Sequence, residues 1–322
     1  MDDTLPISVL TGFLGSGKTT TLRRALASQA MGETAVVVNE FGAVGLDHLL
    51  VEASPDEIVQ LPGGCLCCAV RQDLVRTLLG LLARRAEGSL PRFRRIAVET
   101  SGLAEPAPIL YTLAADQRLE RMLRLDTVLT VVDNELGLGT LERYAEATAQ
   151  VVVADRLLLS KTDLAPPSPA LLAHLAALNP GAEIVDRQHL ADPVSILFGG
   201  RRPALRRLRQ RPWAAVAHAH GIATVALRLG AAMSRLDFAR ALGGLARERG
   251  EDLLRVKGIV AFSDVPDRPA VIHAVQHTLY PPEWLAEWPD ADRVGRMVFI
   301  VRNLEPDVLL TRFAAGLPSL IE

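Results

Sequence analysis

One string constrains this chain more than any other: Gly12-Phe13-Leu14-Gly15-Ser16-Gly17-Lys18-Thr19. It fits the pattern GxxxxGK[ST] at every fixed position. An apolar run at residues 7–11 precedes it, and residues 20–27 continue with helical character. Strand, glycine loop and helix in that order form a phosphate cradle. Glycines let backbone N–H groups curve around an anion without Cβ clashes, and the helix N-terminus adds a favourable field. Lys18 is expected to reach the β- and γ-phosphates of a nucleotide, and the Thr19 hydroxyl to ligate Mg²⁺. The candidate nucleotide contacts are Gly12, Gly15, Ser16, Gly17, Lys18, Thr19 and Thr20, with Lys18 and Thr19 also candidate catalytic groups.

The surrounding pattern predicts a fold that presents such a loop. Residues 7–11, 34–38, 96–98, 127–132 and 156–159 are short apolar runs with helical patterns between them. Such runs read as βαβ units in a mostly parallel sheet. Residues 74–85 and 170–178 have apolar positions at helical spacing, the second closed by Asn179-Pro180-Gly181. From about Phe198 the character changes: residues 201–212 hold six arginines and two prolines, a solvated connector. Beyond it lie a strand at 222–229, a helix capped by Ser234 and running to about Gly250, strands near 256–262, 270–275 and 294–301, and a last helix at 306–315. The expected fold class is α/β: a P-loop NTPase domain at 1–198, a linker at 199–220 and a smaller α+β C-terminal domain at 221–322.

Ser160-Lys161-Thr162-Asp163 follows the run 156–159 and has the layout of the NKxD element, with Ser in place of Asn. A carboxylate at the end of a strand can accept both N1–H and N2–H₂ of guanine, which adenine cannot offer. Lys161 and Asp163 are therefore expected to bind the base of GTP. Glu99 ends an apolar strand, with Gly102 three residues on, the layout of a DxxG element that senses the γ-phosphate. Glu99 is a candidate Mg²⁺ ligand. Asn39-Glu40 and Asp133 fall on the same carboxyl edge of the sheet, where ligands of such folds bind. Glu40 and Glu99 are both candidates to position an attacking water.

All three cysteines lie in Cys65-Leu66-Cys67-Cys68, preceded by two glycines. No distant cysteine exists to pair with, so no disulfide framework is expected. In an extended segment Cys65 and Cys67 share a face and Cys68 takes the other. The glycines would let the three thiolates converge on a metal, with a fourth ligand such as Glu40, a histidine, water or a partner's group. A closed structural zinc site has four protein ligands, so an incomplete site suits a metal meant to leave. Two other readings stand beside this one: packed free cysteines and a thiol redox switch. Thiolates favour Zn²⁺ and Cu⁺ and accept Co²⁺, and spacing does not choose among them. His218 and His220 form an HxH, a possible metal relay, while His273 and His277 share a face only in a helix; His48 and His174 read as surface residues.

Charge excludes some classes. Lys+Arg is 35 against Asp+Glu 37, which argues against a nucleic-acid clamp. No run is long and apolar enough for a membrane span, and the first residues lack a basic and apolar leader, so a cytosolic compartment is expected. Only three lysines occur, and two of them are Lys18 and Lys161.

Taken together, TGFLGSGKTT, VNEFG, GGCLCC, ETSGLAEP and SKTD, with the later strings at 254–258, 271–280 and 297–300, resemble the CobW-type metal-binding GTPases, in the layout of YjiA-like members. The resemblance covers nearly the whole chain. It implies a GTPase whose nucleotide state controls a metal, zinc or alternatively cobalt, held by Cys65, Cys67 and Cys68 with Glu40. It further implies delivery to a metal-requiring client protein and a C-terminal domain that docks the client or a second copy. Many relatives carry a long His-rich stretch between domains; this chain has only His218 and His220 there. A redox-responsive regulatory GTPase is the main alternative, and a small-molecule kinase a weaker one.

Overall fold

The computed structural model describes residues 4–39, 58–60, 67–190, 192–198, 213–230, 232–289, 293–315 and 317. The chain divides into two compact units, Met1–Leu171 with Ile184–Arg201, and Leu172–Glu183 with Arg202–Glu322.

The first unit is built on a seven-stranded sheet. In chain order its elements are β1 (Leu5–Thr11), α1 (Lys18–Leu26), β2 (Thr34–Asn39), β3 (Ile58–Gln60), α2 (Cys67–Ala86), β4 (Arg95–Thr100), α3 (Ala107–Ala115), α4 (Gln117–Glu120), β5 (Leu123–Asp133), α5 (Gly137–Arg143), α6 (Ala145–Val152), β6 (Arg156–Ser160), β7 (Glu183–Asp186) and α8 (Pro193–Leu197), while α7 (Pro169–Leu178) falls between β6 and β7 in the chain and belongs mostly to the second unit. The strand order is β3-β2-β4-β1-β5-β6-β7. The pairs from β3 through β6 are parallel. Helices on both faces bury the central strands completely, which is why they read as unbroken apolar runs: Ile7, Val9, Leu10, Ile96, Val98, Val128 and Leu129 have no exposed surface. Two short strands, β3 and β7, escape the hydropathy pattern because three or four residues carry too little periodicity.

Register is what assembles the site. Leu10 pairs with Glu99, Thr11 with Thr130, and Asp133 with Ser160. Parallel pairing puts the ends of β1, β4, β5 and β6 on one carboxyl edge, so residues far apart in sequence meet there.

The second unit carries an antiparallel sheet. Its elements are β8 (Trp213–Ala217), β9 (Ile222–Leu229), α9 (Arg235–Arg249), β10 (Leu253–Phe262), β11 (Val265–Val275), β12 (Thr278–Leu279), β13 (Glu283–Trp284), β14 (Gly295–Arg302) and α10 (Pro306–Ala315). The order is β12-β11-β10-β14-β9-β8, with β13 on β11. Part of the stretch expected as linker is thus strand β8, which pairs with β9 from Trp213 to Ala217. Ser234 caps α9 as expected, accepting the Asp237 N–H. One face of the sheet packs Val225, Leu227, Val256, Met297 and Phe299 against Phe238, Leu242 and Phe313. Rings meet edge to face, Phe238 with Phe262 at 5.5 Å and Phe299 with Phe313 at 5.2 Å.

Candidate functional site

Gly12 opens the phosphate loop at φ +143°, and a Cβ there would lie 2.4 Å from the Val131 carbonyl oxygen. No side chain fits that approach, so the first glycine is required by packing as well as by backbone conformation. Lys18 is buried and its Nζ donates to the Phe13 carbonyl at 3.1 Å. The ammonium thereby closes the loop from inside. Ser16 is buried and Thr20 is exposed on the first turn of α1.

The two candidate Mg²⁺ ligands come together. Thr19 Oγ1 donates to Glu99 Oε1 at 2.7 Å, across 80 residues of sequence, and Glu99 is buried. A hydroxyl and a carboxylate side by side are the oxygen donors a hard divalent cation takes. Beyond Glu99 the loop turns back on itself through Ala104 N–H to Ser101 O at 3.1 Å. Gly102 then sits against the phosphate loop: a Cβ on it would meet Leu14 N at 2.8 Å and Leu14 Cα at 2.9 Å. Its carbonyl and that of Ala104 accept from Gln150 Nε2 at 3.0 and 3.1 Å.

At the other end of the site, Ser160 shows what replaces the usual Asn. Its hydroxyl donates to the Ser16 carbonyl at 2.6 Å, tying the 160–163 loop to the phosphate loop. We expect Ser160→Ala to destabilise the unit by about 1–2 kcal/mol, since it removes a buried donor from a carbonyl. Urea unfolding of nucleotide-free protein checks this, and an unchanged midpoint would mean the brace contributes nothing. Lys161 stands at φ 58° and pairs with Asp133, Nζ to Oδ2 at 2.5 Å. Burial raises the Asp133 carboxyl, but the Lys161 ammonium and the Leu136 and Glu135 N–H groups outweigh it and hold it below the usual carboxylate range. Asp133 therefore acts as an ionised anchor for Lys161. Asp163 is half exposed and accepts from Arg187 Nη2 at 2.6 Å, and Thr162 donates to Asp186 at 2.5 Å. The end of β7 thus cross-braces the loop that would read a base.

The phosphate loop, the paired oxygen donors and the 160–163 loop all lie on one edge of the sheet. Residues 6–186 match the family model described as the CobW/HypB/UreG nucleotide-binding domain. The chain belongs to the CobW/HypB/UreG family. Residues 222–317 match the cobalamin synthesis protein CobW C-terminal domain. Among relatives of the family, the zinc chaperone YjiA of Escherichia coli strain K12 is 31% identical over 314 residues, 96% of this chain and 98% of that protein. The zinc chaperone CobW of Pseudomonas aeruginosa is 27% identical, over 97% of this chain and 92% of that one. The crystal structure of Zn(II)-bound YjiA GTPase from E. coli superposes with a TM-score of 0.70 at 26% identity, over 97% and 98% of the two chains.

The cysteine string is only partly among the described residues. Glu40 and Cys65 lie outside the described residues, as do the side chains of Asn39, Cys67 and Cys68. The backbone of Cys67 and Cys68 forms the start of α2, not the extended segment read from the sequence, so alternation of faces does not apply to that pair. Among the described residues no group of three or more His, Cys, Asp and Glu is placed to hold a metal ion.

The structure answers the open case of His273 and His277 and departs from the reading at His174. His273 lies buried on β11 and His277 follows in a turn with Nδ1 2.8 Å from Ala246 O, so they do not share a helix face. His174 is not simply a surface residue: within the second unit its ring lies 6.4 Å from that of His218. His218 Nε2 is 3.1 Å from Thr224 Oγ1, and burial, with His174 nearby, pushes its imidazole pKa down. Gln150, Asp186 and Arg187 were missed by sequence reasoning. The available signal for Gln150 was one polar residue with an amide in the otherwise apolar stretch Ala149 to Val152. Asp186 and Arg187 gave none, because β7 itself was not legible.

Proposed function

We propose that this protein hydrolyses GTP and uses its nucleotide state to hold and release a transition metal, zinc in the first place, for a metal-requiring client protein. One observation carries the nucleotide half: the phosphate loop, the Thr19–Glu99 pair and the Ser160–Asp163 loop occupy one sheet edge, braced together by Ser160 and Ser16. The backbone of residues 12–17 and Lys18 would cradle the phosphates, and Asp163 would accept the guanine N1–H and N2–H₂. Thr19 and Glu99 would hold Mg²⁺, which when bound supplies charge neutralisation at the β- and γ-phosphates. Gly102, which packs on Leu14, would sense the γ-phosphate. Intrinsic turnover of such a site is slow, on the order of 10⁻⁴ to 10⁻² per second.

The metal half rests on the Cys65–Cys68 string and on relatives named zinc chaperones. Three thiolates make a soft donor set that Glu40 would complete to four, suited to Zn²⁺, with Co²⁺ as the alternative. A reducing cytosol keeps such thiols available. The C-terminal domain would dock the client or a second copy. If GTP tightens metal, metal tightens GTP by the same factor, because the coupling is a single free energy.

The test is an anaerobic competition titration with Zn²⁺ and Co²⁺ on nucleotide-free protein, with GDP, and with Mg²⁺ plus a slowly hydrolysed GTP analogue. We expect affinity to rise by about tenfold or more only with the analogue, and Cys67→Ala to abolish the rise. Equal affinity in all three states would remove the switch from the cysteines. Reversible thiol oxidation that alters nucleotide affinity would then favour the regulatory reading.

A further inference from the structure

Gln150 has no exposed surface, and both ends of it are engaged. Its backbone carbonyl accepts from Thr130 Oγ1 on β5 at 2.7 Å. Its side-chain amide spends both N–H groups on the loop after Glu99, one on Gly102 O and one on Ala104 O. The two carbonyls belong to a segment 46–48 residues away in sequence, and they flank the turn that packs Gly102 on Leu14. An amide that donates twice to one turn fixes that turn's orientation as well as its position.

We propose that Gln150 is a positioning residue for hydrolysis: it holds the 99–104 loop by its carbonyl side, so that Gly102 stays against the phosphate loop where a γ-phosphate would meet it. The inference rests on reading residues 99–102 as the nucleotide-sensing loop. Two further features fit a latch. The amide oxygen of Gln150 and the hydroxyl of Ser16 are buried without hydrogen-bond partners, and both residues belong to the wall of a cavity of about 170 Å³ that Phe13 and Leu14 also line. The side chain is thus held on its nitrogen side only, by the carbonyls of the loop itself. Ten residues after Gln150 comes Ser160, which bonds Ser16. One segment, α6 through β6, therefore contacts the γ-phosphate side and the base side of the site together.

The test uses two variants. Gln150→Met keeps the length and removes the donors; Gln150→Glu keeps the shape and turns acceptors toward two carbonyls. GDP affinity, affinity for a slowly hydrolysed GTP analogue, KM and kcat are measured for each with Mg²⁺. We expect kcat, and the preference for the analogue over GDP, to fall by about tenfold or more, with GDP affinity within about twofold of wild type. Equal weakening of both nucleotides, or unchanged kcat and preference, overturns the proposal: the amide would then only satisfy buried carbonyls. Hydrogen exchange on wild type decides the case if the variants do not fold. Protection of 101–104 and 147–152 should change together when GDP is replaced by the analogue, and a change in 101–104 alone overturns the latch. A wild-type protein that binds guanine nucleotides but does not distinguish GDP from the analogue sinks the sensing-loop reading itself, a separate outcome.

Discussion

Lys18→Ala lowers affinity for GTP and GDP by about 100-fold or more, the loss expected when a charge-assisted contact worth about 3 kcal/mol is removed from a phosphate site. The reason is geometric. Lys18 is buried at the start of α1, and its ammonium is already turned into the loop, toward the Phe13 carbonyl. The glycine backbone would remain, so residual binding comes from N–H groups and the helix N-terminus alone. Calorimetric titration with GDP and a GTP analogue, both with Mg²⁺, makes the comparison. Affinity within about threefold of wild type would remove the phosphate-binding role from residues 12–19.

Asp163→Asn is expected to reverse base preference. The carboxylate accepts two guanine donors, whereas the amide offers one acceptor and one donor, a match for the 2-oxo group of xanthine. We expect guanine nucleotide affinity to fall about 30–100-fold and xanthosine diphosphate to become the preferred ligand by about tenfold. Arg187 can keep its bond to the side-chain oxygen in the variant, so the loop should stay in place. Competition between guanosine and xanthosine diphosphates on wild type and variant reads the outcome. A variant that still prefers guanine would assign the base contact to another group and leave Asp163 as a surface acid paired with Arg187.

Much of the fold was legible. The central strands declared themselves because burial on both faces demands continuous apolar runs, and the phosphate loop because glycine, lysine and threonine at fixed spacing have few other uses. The edges of the first sheet were not: β3 and β7 are too short for periodicity, and with β7 went Asp186 and Arg187. β8 was hidden next to an arginine-rich stretch, its five residues Trp-Ala-Ala-Val-Ala too short and too alanine-rich to show the alternation of a strand that pairs with β9. The cysteines named a chemistry through composition, while their backbone conformation was open, and Cys67 and Cys68 begin a helix.

What the sequence by itself determined is therefore local: the phosphate loop, the candidate base loop and the cysteine string are contiguous, and their chemistry follows from residue types within a few positions. What only tertiary structure decided are the partners. Thr19 meets Glu99 across 80 residues, Gln150 meets Gly102 across 48, and Ser160 meets Ser16 across 144. No local pattern encodes such pairs. Strand order and register choose them, because a parallel sheet brings the carboxyl ends of separate strands to one edge regardless of how much chain lies between them.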